Sequence, residues 1–182
     1  MKTTVSRRTA FLVQGAMIAA LYTVLTLVSS MLGLAYGPVQ FRISEALTIL
    51  PVFTPAAIPG LAIGCLISNL GSPFGVVDIV CGTAASLLAA ALSYQLRHIR
   101  VAGLPVASAL PPILCNAFVI GAEIAFFLPE GFTFAGFLSG GLSVGAGQLV
   151  ILVLLGLPLA ALLERTGTAK KLFGISGYEG NF

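Results

Sequence analysis

Apolar residues run along this chain in long blocks, separated by short groups of glycine, proline and charge, and the blocks lack the regular polar face of a soluble amphipathic helix. A helix needs about 20 apolar residues to cross the hydrocarbon core of a bilayer. On that scale the first helix covers residues 9–30, and a loop containing Gly and Pro follows over 31–41. The block over 43–70 is too long for one ordinary span and carries Pro51, Pro55, Pro59 and Gly60. It predicts a hairpin of two helices, 42–53 and 55–70, turning near Phe53-Thr54-Pro55. A loop from Gly71 to Gly75 precedes a helix over 76–96, and two more cover 104–128 and 134–163. The predicted fold is all-α, a compact bundle of six transmembrane helices forming one membrane domain over residues 1–182.

Composition makes lipid the solvent. Hydrophobic residues make up 58% of the chain and charged residues 8%, Trp is absent and the mean hydropathy is +1.06, values outside the range of soluble domains. The first apolar run continues for about 20 residues after Arg7 and Arg8 with no small-residue cleavage site, which predicts a retained helix rather than a signal peptide. Cys65, Cys81 and Cys115 lie in apolar runs without ligand spacing and read as packing residues. The net charge of +3 does not point to nucleic acid; its distribution is more informative. With six spans, Lys2, Arg7, Arg8, Arg97, Arg100, Arg165, Lys170 and Lys171 fall on one side, leaving only Arg42 of the nine basic residues elsewhere. By the positive-inside rule that side is cytoplasmic, so the cell membrane is the expected location and both termini are expected inside. A single span over 43–70 would abolish the bias. The first arm of the hairpin, about 12 residues or ~18 Å as an α-helix, is short.

Against this apolar background, Arg42, Glu45 and Asp78 are the charges between residues 9 and 96, and Glu123 lies in the fifth helix. Ionisable groups in a membrane cost several kcal/mol unless they face a partner, a cavity or a ligand. The topology sends all four, with Asn69, to the outer third. Asn116, seven residues before Glu123, shares its helix face two turns deeper, and Gln148 lies mid-helix as a candidate pocket floor. Tyr36, Phe41 and Phe74 lie at the same level as the charges. Simpler roles exist for most of these: Arg42 pairing with Glu45 three residues on, Asp78 capping its helix, Asn69 ending one, Asn116 and Gln148 bonding helix to helix. Glu123 has no basic residue within its own helix and needs a partner from elsewhere or a ligand.

Small residues form a second pattern. Gly15, Ala16, Ala19 and Ala20 give overlapping small-xxx-small pairs in the first helix, and Gly136, Gly140, Gly141, Gly145 and Gly147 line the last; both suit close helix packing. Catalysis is disfavoured. The chain carries no G-x-x-x-x-G-K-[ST] phosphate loop, and its one histidine, His98, sits between arginines in a basic loop away from any nucleophile or metal-ligand companion. Neither a cofactor nor a metal site is expected. The absence of an internal repeat argues against a secondary transporter of two related halves. An outward-facing polar pocket in a small bundle suits solute capture.

The segment Gln40-Phe41-Arg42-Ile43-Ser44-Glu45-Ala46-Leu47, followed by Pro55 to Cys65, Asn69-Leu70, Asp78 to Thr83, Leu104 to Ile113 and Asn116 to Glu123, resembles the QueT family. The resemblance covers nearly the whole chain apart from the tails. It implies a six-helix S component, the substrate-binding subunit of an energy-coupling factor transporter for queuosine precursors, working with a transmembrane coupling subunit and two ATPases. It further implies that Gly15, Ala16, Ala19 and Ala20 pack against the coupling subunit. For a deazaguanine-type ligand, Glu123 or Glu45 would accept two hydrogen bonds from the base, Asn69, Asn116 or Gln148 would serve other ring atoms, and Phe41, Phe74 or Tyr36 would stack. Asp78 would neutralise an aminomethyl cation, and Arg42 would orient Glu45. A different vitamin or purine-like solute, or an assembly protein with no pocket, are the alternatives.

Overall fold

The computed structural model describes residues 6–35 and 40–174. Apart from an isolated bridge between Val101 and Leu104, its regular elements are helical: α1 (Arg7–Met31), a 3-10 helix (Ile43–Val52), α2 (Ala57–Ser68), α3 (Val76–Gln95), α4 (Val106–Phe126), α5 (Phe134–Ile151), α6 (Leu157–Arg165) and α7 (Thr168–Phe173). Asn69–Gly71 adds a 3-10 turn to α2, and a π-helical stretch, Leu152–Gly156, joins α5 to α6. Four helices are long and apolar enough to cross a bilayer, Arg7–Met31, Val76–Gln95, Val106–Phe126 and the continuous Phe134–Arg165, while Ile43–Val52 and Ala57–Gly71 are apolar but shorter.

The short arm expected over 42–53 is a 3-10 helix, not an α-helix. Pro51 has no N–H and interrupts the hydrogen-bond ladder of either winding, and the 3-10 winding rises about 2.0 Å per residue, so ten residues reach about 20 Å. Every residue from Ser44 to Val52 is buried, because this strut runs through the middle of the bundle and touches α1 to α6. A polar stripe on α1 docks its start: Ser29 Oγ accepts the Ile43 N–H at 2.9 Å and Thr26 Oγ1 bonds Ser44 Oγ at 2.7 Å.

Around the strut, glycines let helices touch. α2 runs parallel to α1, with Gly60 against the Gly15 carbonyl and Gly64 against Ala19 and Tyr22, so close that an added Cβ would lie 2.8 Å from the nearest atom at both positions. Gly15 and Ala19 are thereby taken up inside the fold, which corrects the expectation that they face a partner subunit; Ala16 and Ala20 remain on the exposed side of α1. α5 runs antiparallel to α4, with Gly141 on Gly121 and Ala117, and Gly145 on Ala117.

Two prolines shape the long helices. Pro112 leaves the Ser108 carbonyl without its intrahelical donor, and Ser93 Oγ of α3 supplies one at 2.7 Å, as lipid offers no water for a freed carbonyl. Pro158, at the start of α6, cannot bond the Leu154 carbonyl, and the helix widens into its π stretch just there. The predicted helix over 134–163 is for this reason irregular. α7 is an addition to the predicted set, tied down by Gln14 Nε2 donating to the Leu172 carbonyl at 2.9 Å and by Phe173 stacking on Phe53 at 6.3 Å.

The bundle has two unlike ends. One gathers Arg7, the Phe53–Ala56 turn, the loop after α3 and the end of α6, where Arg100 pairs with Glu164 at 2.7 Å. At the other end α1 finishes, α3 begins after Gly75 (φ 64°) and α4 turns into α5 through Gly131 (φ 76°), backbone angles that favour glycine.

Candidate functional site

Three helices and the strut converge on Glu45. One oxygen accepts a hydrogen bond from Tyr22 Oη of α1. The other accepts from Gln148 Nε2 of α5 at 2.8 Å and from Asn116 Nδ2 of α4 at 3.4 Å, and Asn116 Nδ2 also donates to Gln148 Oε1 at 3.0 Å. All four side chains are buried. A second cluster lies beside it, between the start of the strut and α2 and α3. Arg42 Nη2 is 3.8 Å from Asp78 Oδ2, its Nη1 reaches Asn69 Oδ1 at 3.5 Å and its Nε donates to the Ala35 carbonyl at 3.3 Å. Asn69 Nδ2 donates to Asp78 Oδ1 at 3.2 Å and to the Asp78 carbonyl at 3.0 Å.

A cavity of about 20 Å³ separates the two clusters, lined on its polar side by Gln40, Arg42, Glu45, Ser86, Asn116 and Gln148, and on its apolar side by residues that include Ile120, Val144 and Ile151. Gly82, one turn after Asp78, keeps the wall open toward the second cluster, since a Cβ there would sit 2.6 Å from Asn69 Nδ2. The space is about that of one water molecule. A polar lining of one carboxylate, one guanidinium, three amides and the Ser86 hydroxyl, with aliphatic walls, offers both donors and acceptors of hydrogen bonds.

Glu123 lies on α4, one turn beyond Ile120. It is 4% exposed, and neither carboxylate oxygen has a hydrogen-bond partner among the described residues. It takes no part in the Glu45 hydrogen-bond network.

Of the residues singled out from the sequence, Arg42, Glu45, Asn116 and Gln148 line the cavity, Asn69 and Asp78 back it, and Glu123 follows the lining residue Ile120 by one turn of α4. Arg42 does not orient Glu45. Its backbone precedes the strut in an extended conformation (φ −91°, ψ 108°), so the helical three-residue spacing does not apply and the guanidinium turns to Asp78 and Asn69. Phe41 and Phe74 do not reach the cavity. Phe74 packs on Phe127 at 5.3 Å, Phe41 is half-buried, and aliphatic side chains take the place expected for stacking rings. Tyr36 lies outside the described residues. Tyr22, Gln40 and Gly82 were not anticipated; Tyr22 had a signal, since Tyr22, Thr26 and Ser29 recur at helical spacing along one face of α1.

A family model described as QueT transporter matches residues 12–165. The queuosine precursor transporter QueT of Lactococcus lactis subsp. cremoris (strain MG1363) is 41% identical over 73 residues, 40% of this chain and 43% of the relative. The matched region thus spans less than half of that relative's length. No solved structure matches the chain.

Proposed function

The chain belongs to the QueT transporter family, and from that premise we propose that it is the substrate-binding S component of an energy-coupling factor importer, capturing a queuosine precursor from outside the cell. In this reading the four long helices, the strut and α2 form the six-helix bundle, the basic end faces the cytoplasm, and a separate coupling subunit with two ATPases supplies the energy. The observation that carries the solute site is Glu45, a buried carboxylate beside a polar cavity on which Tyr22, Asn116 and Gln148 converge.

A deazaguanine base presents a ring N–H and an exocyclic amine on one edge, and a carboxylate accepts both. Glu45 takes that role. Asn116 and Gln148 turn their amides from each other and from Glu45 to the remaining ring atoms, widening the cavity, while Ile120, Val144 and Ile151 pack on the base. Loading thus exchanges hydrogen bonds within the protein for hydrogen bonds to the solute, so little polar surface is left unpaired in either state.

Titration calorimetry of the purified protein with deazaguanine bases tests this. The wild type is expected to bind, and Glu45→Gln to bind about 10-fold to 100-fold more weakly, the worth of a charge-assisted hydrogen bond at about 1.5–3 kcal/mol. Wild-type protein that binds no deazapurine would sink the substrate class. Binding untouched by Glu45→Gln would move the site elsewhere.

A further inference from the structure

Away from the polar cavity, the basic end of the bundle holds a second hollow, of about 580 Å³. Three elements meet there. Arg100 comes from the loop after α3, Glu164 and Arg165 end α6, and Lys170 comes from α7, with Gly167 in the turn between the last two helices. Gly167 turns the chain with a φ of 66°, and Lys170 beyond it lines the same hollow as Arg165 before it. Arg100 is held in place by a two-point pair with Glu164, its Nη2 lying 2.7 Å from Oε1 and its Nη1 donating to Oε2 at 2.9 Å, and Nη1 also donates to the Gly103 carbonyl at 3.2 Å. One carboxylate therefore stands against three cations, and the lining carries an excess of positive charge.

Apolar side chains surround these cations. Ile99 and Val101 flank Arg100 in sequence, Leu162 lies three residues before Arg165 on α6, and all three are exposed. Arg165 is also the last residue of a continuous helix, Phe134–Arg165, long and apolar enough to cross a bilayer, so the charges gather where a span runs out. We propose that this hollow binds the phosphate headgroup of an anionic phospholipid, which on the orientation given above lies in the cytoplasmic leaflet. Arg165 and Lys170 take the phosphate oxygens in charge-assisted hydrogen bonds, and Arg100, fixed by Glu164, is the positive wall behind them. A free phosphate shares the headgroup's charge but has no chains to lay against Ile99, Val101 and Leu162. The site shares no lining residue with the polar cavity around Glu45.

The test is native mass spectrometry of the purified protein in a neutral detergent, with phosphatidylglycerol, phosphatidylcholine or inorganic phosphate added at equal concentration. Wild type is expected to retain phosphatidylglycerol about 10-fold or more above phosphatidylcholine, and to retain no phosphate. In Arg165→Gln/Lys170→Gln that margin is expected to fall to about 3-fold or less. Arg7→Gln/Arg8→Gln, which removes two exposed cations at the same end but outside the hollow, is expected to keep it. Both double variants are expected to melt with wild type in lipid-free detergent, so that a lost margin is not lost folding. Lys170→Gln alone, a change at an exposed position, is expected to lose part of the margin and serves where the first double variant melts early. Absence of a preference in wild type, or a preference that survives in Arg165→Gln/Lys170→Gln, overturns the site. An equal loss in Arg7→Gln/Arg8→Gln overturns it too, as the charge of the whole end would then attract the lipid. Phosphate retained as well as phosphatidylglycerol overturns the lipid as occupant. None of these outcomes bears on the solute reading, and wild-type protein that binds no deazapurine leaves the lipid site standing.

Discussion

Asp78 and Glu123 are both buried carboxylates at the same end of the bundle, yet their replacement by the neutral amide has opposite expected effects on folding. Asp78 is the counter-charge of Arg42 and also receives Asn69 Nδ2. Asp78→Asn removes the carboxylate that faces the buried guanidinium, and breaking one side of a buried pair costs about 3–5 kcal/mol. A markedly lower melting temperature is expected for Asp78→Asn than for Glu123→Gln in the same detergent; equal melting temperatures would show that Arg42 is balanced by something other than Asp78. At this scale much of the site was legible, because a charge or amide inside an apolar block stands out by its cost. Arg42, Glu45, Asp78, Asn116 and Gln148 were visible for that reason. Their partners were not. Choosing Asp78 rather than Glu45 for Arg42 depends on where the chain leaves its extended conformation, and nothing in the spacing of Arg42 and Glu45 records that. Tyr22 was hidden for a different reason, as one aromatic ring in an apolar helix has no cost that marks it until the residue, hydroxyl included, is known to be buried.

Among the elements, α4 and α5 depend most on the absence of side chains. A Cβ at Gly121 would lie 2.6 Å from Gly141 Cα, and one at Gly141 would lie 2.8 Å from the Ala117 carbonyl. Both are backbone atoms, so no rotamer change relieves the clash and the helices must separate. Gly121→Val is expected to destabilise by about 1–3 kcal/mol, the usual range for overpacking, and to weaken solute binding as well, because Asn116 and Gln148 belong to the same two helices. Gly71→Ala is the control, as nothing lies within 4 Å of its Cβ position. Matched melting curves for the two variants would count against the helix contact. The glycine pattern on α5 was readable from the sequence as a close-packing face, but its partner helix was not. Hydropathy likewise shows that 43–70 is interrupted, and Pro51 shows where an α-helix is strained. It does not show that the first arm winds as a 3-10 helix, because that state is selected by what surrounds it. A segment buried from Ser44 to Val52 among the other helices is defined by tertiary packing more than by propensity.

Over the whole molecule, the exposed side of α1 separates from the proposed solute site. Leu12, Ala16, Met17, Ala20, Val24 and Leu27 are exposed along this helix, while Tyr22, Thr26 and Ser29 on its opposite side hold the strut. One helix thus has an inner face that reaches Glu45 and an outer face on which Ala16 and Ala20, one turn apart, make a shallow groove among larger residues. In the proposed importer that groove is where a helix of the coupling subunit approaches, since small residues at this spacing admit a close backbone. Gly15 and Ala19 do not contribute to it, being packed on α2. Ala16→Trp or Ala20→Trp fills the groove without touching the Glu45 network. Each is expected to abolish co-purification with the coupling subunit and ATPases, and with it uptake by cells, while calorimetric affinity of the isolated protein for the solute stays within about 3-fold of wild type. Intact assembly in both variants would remove this face from the interface. Loss of assembly together with loss of binding would mean that the two faces of α1 are not independent, and that docking and the hold of Tyr22 on Glu45 are mechanically linked through one helix.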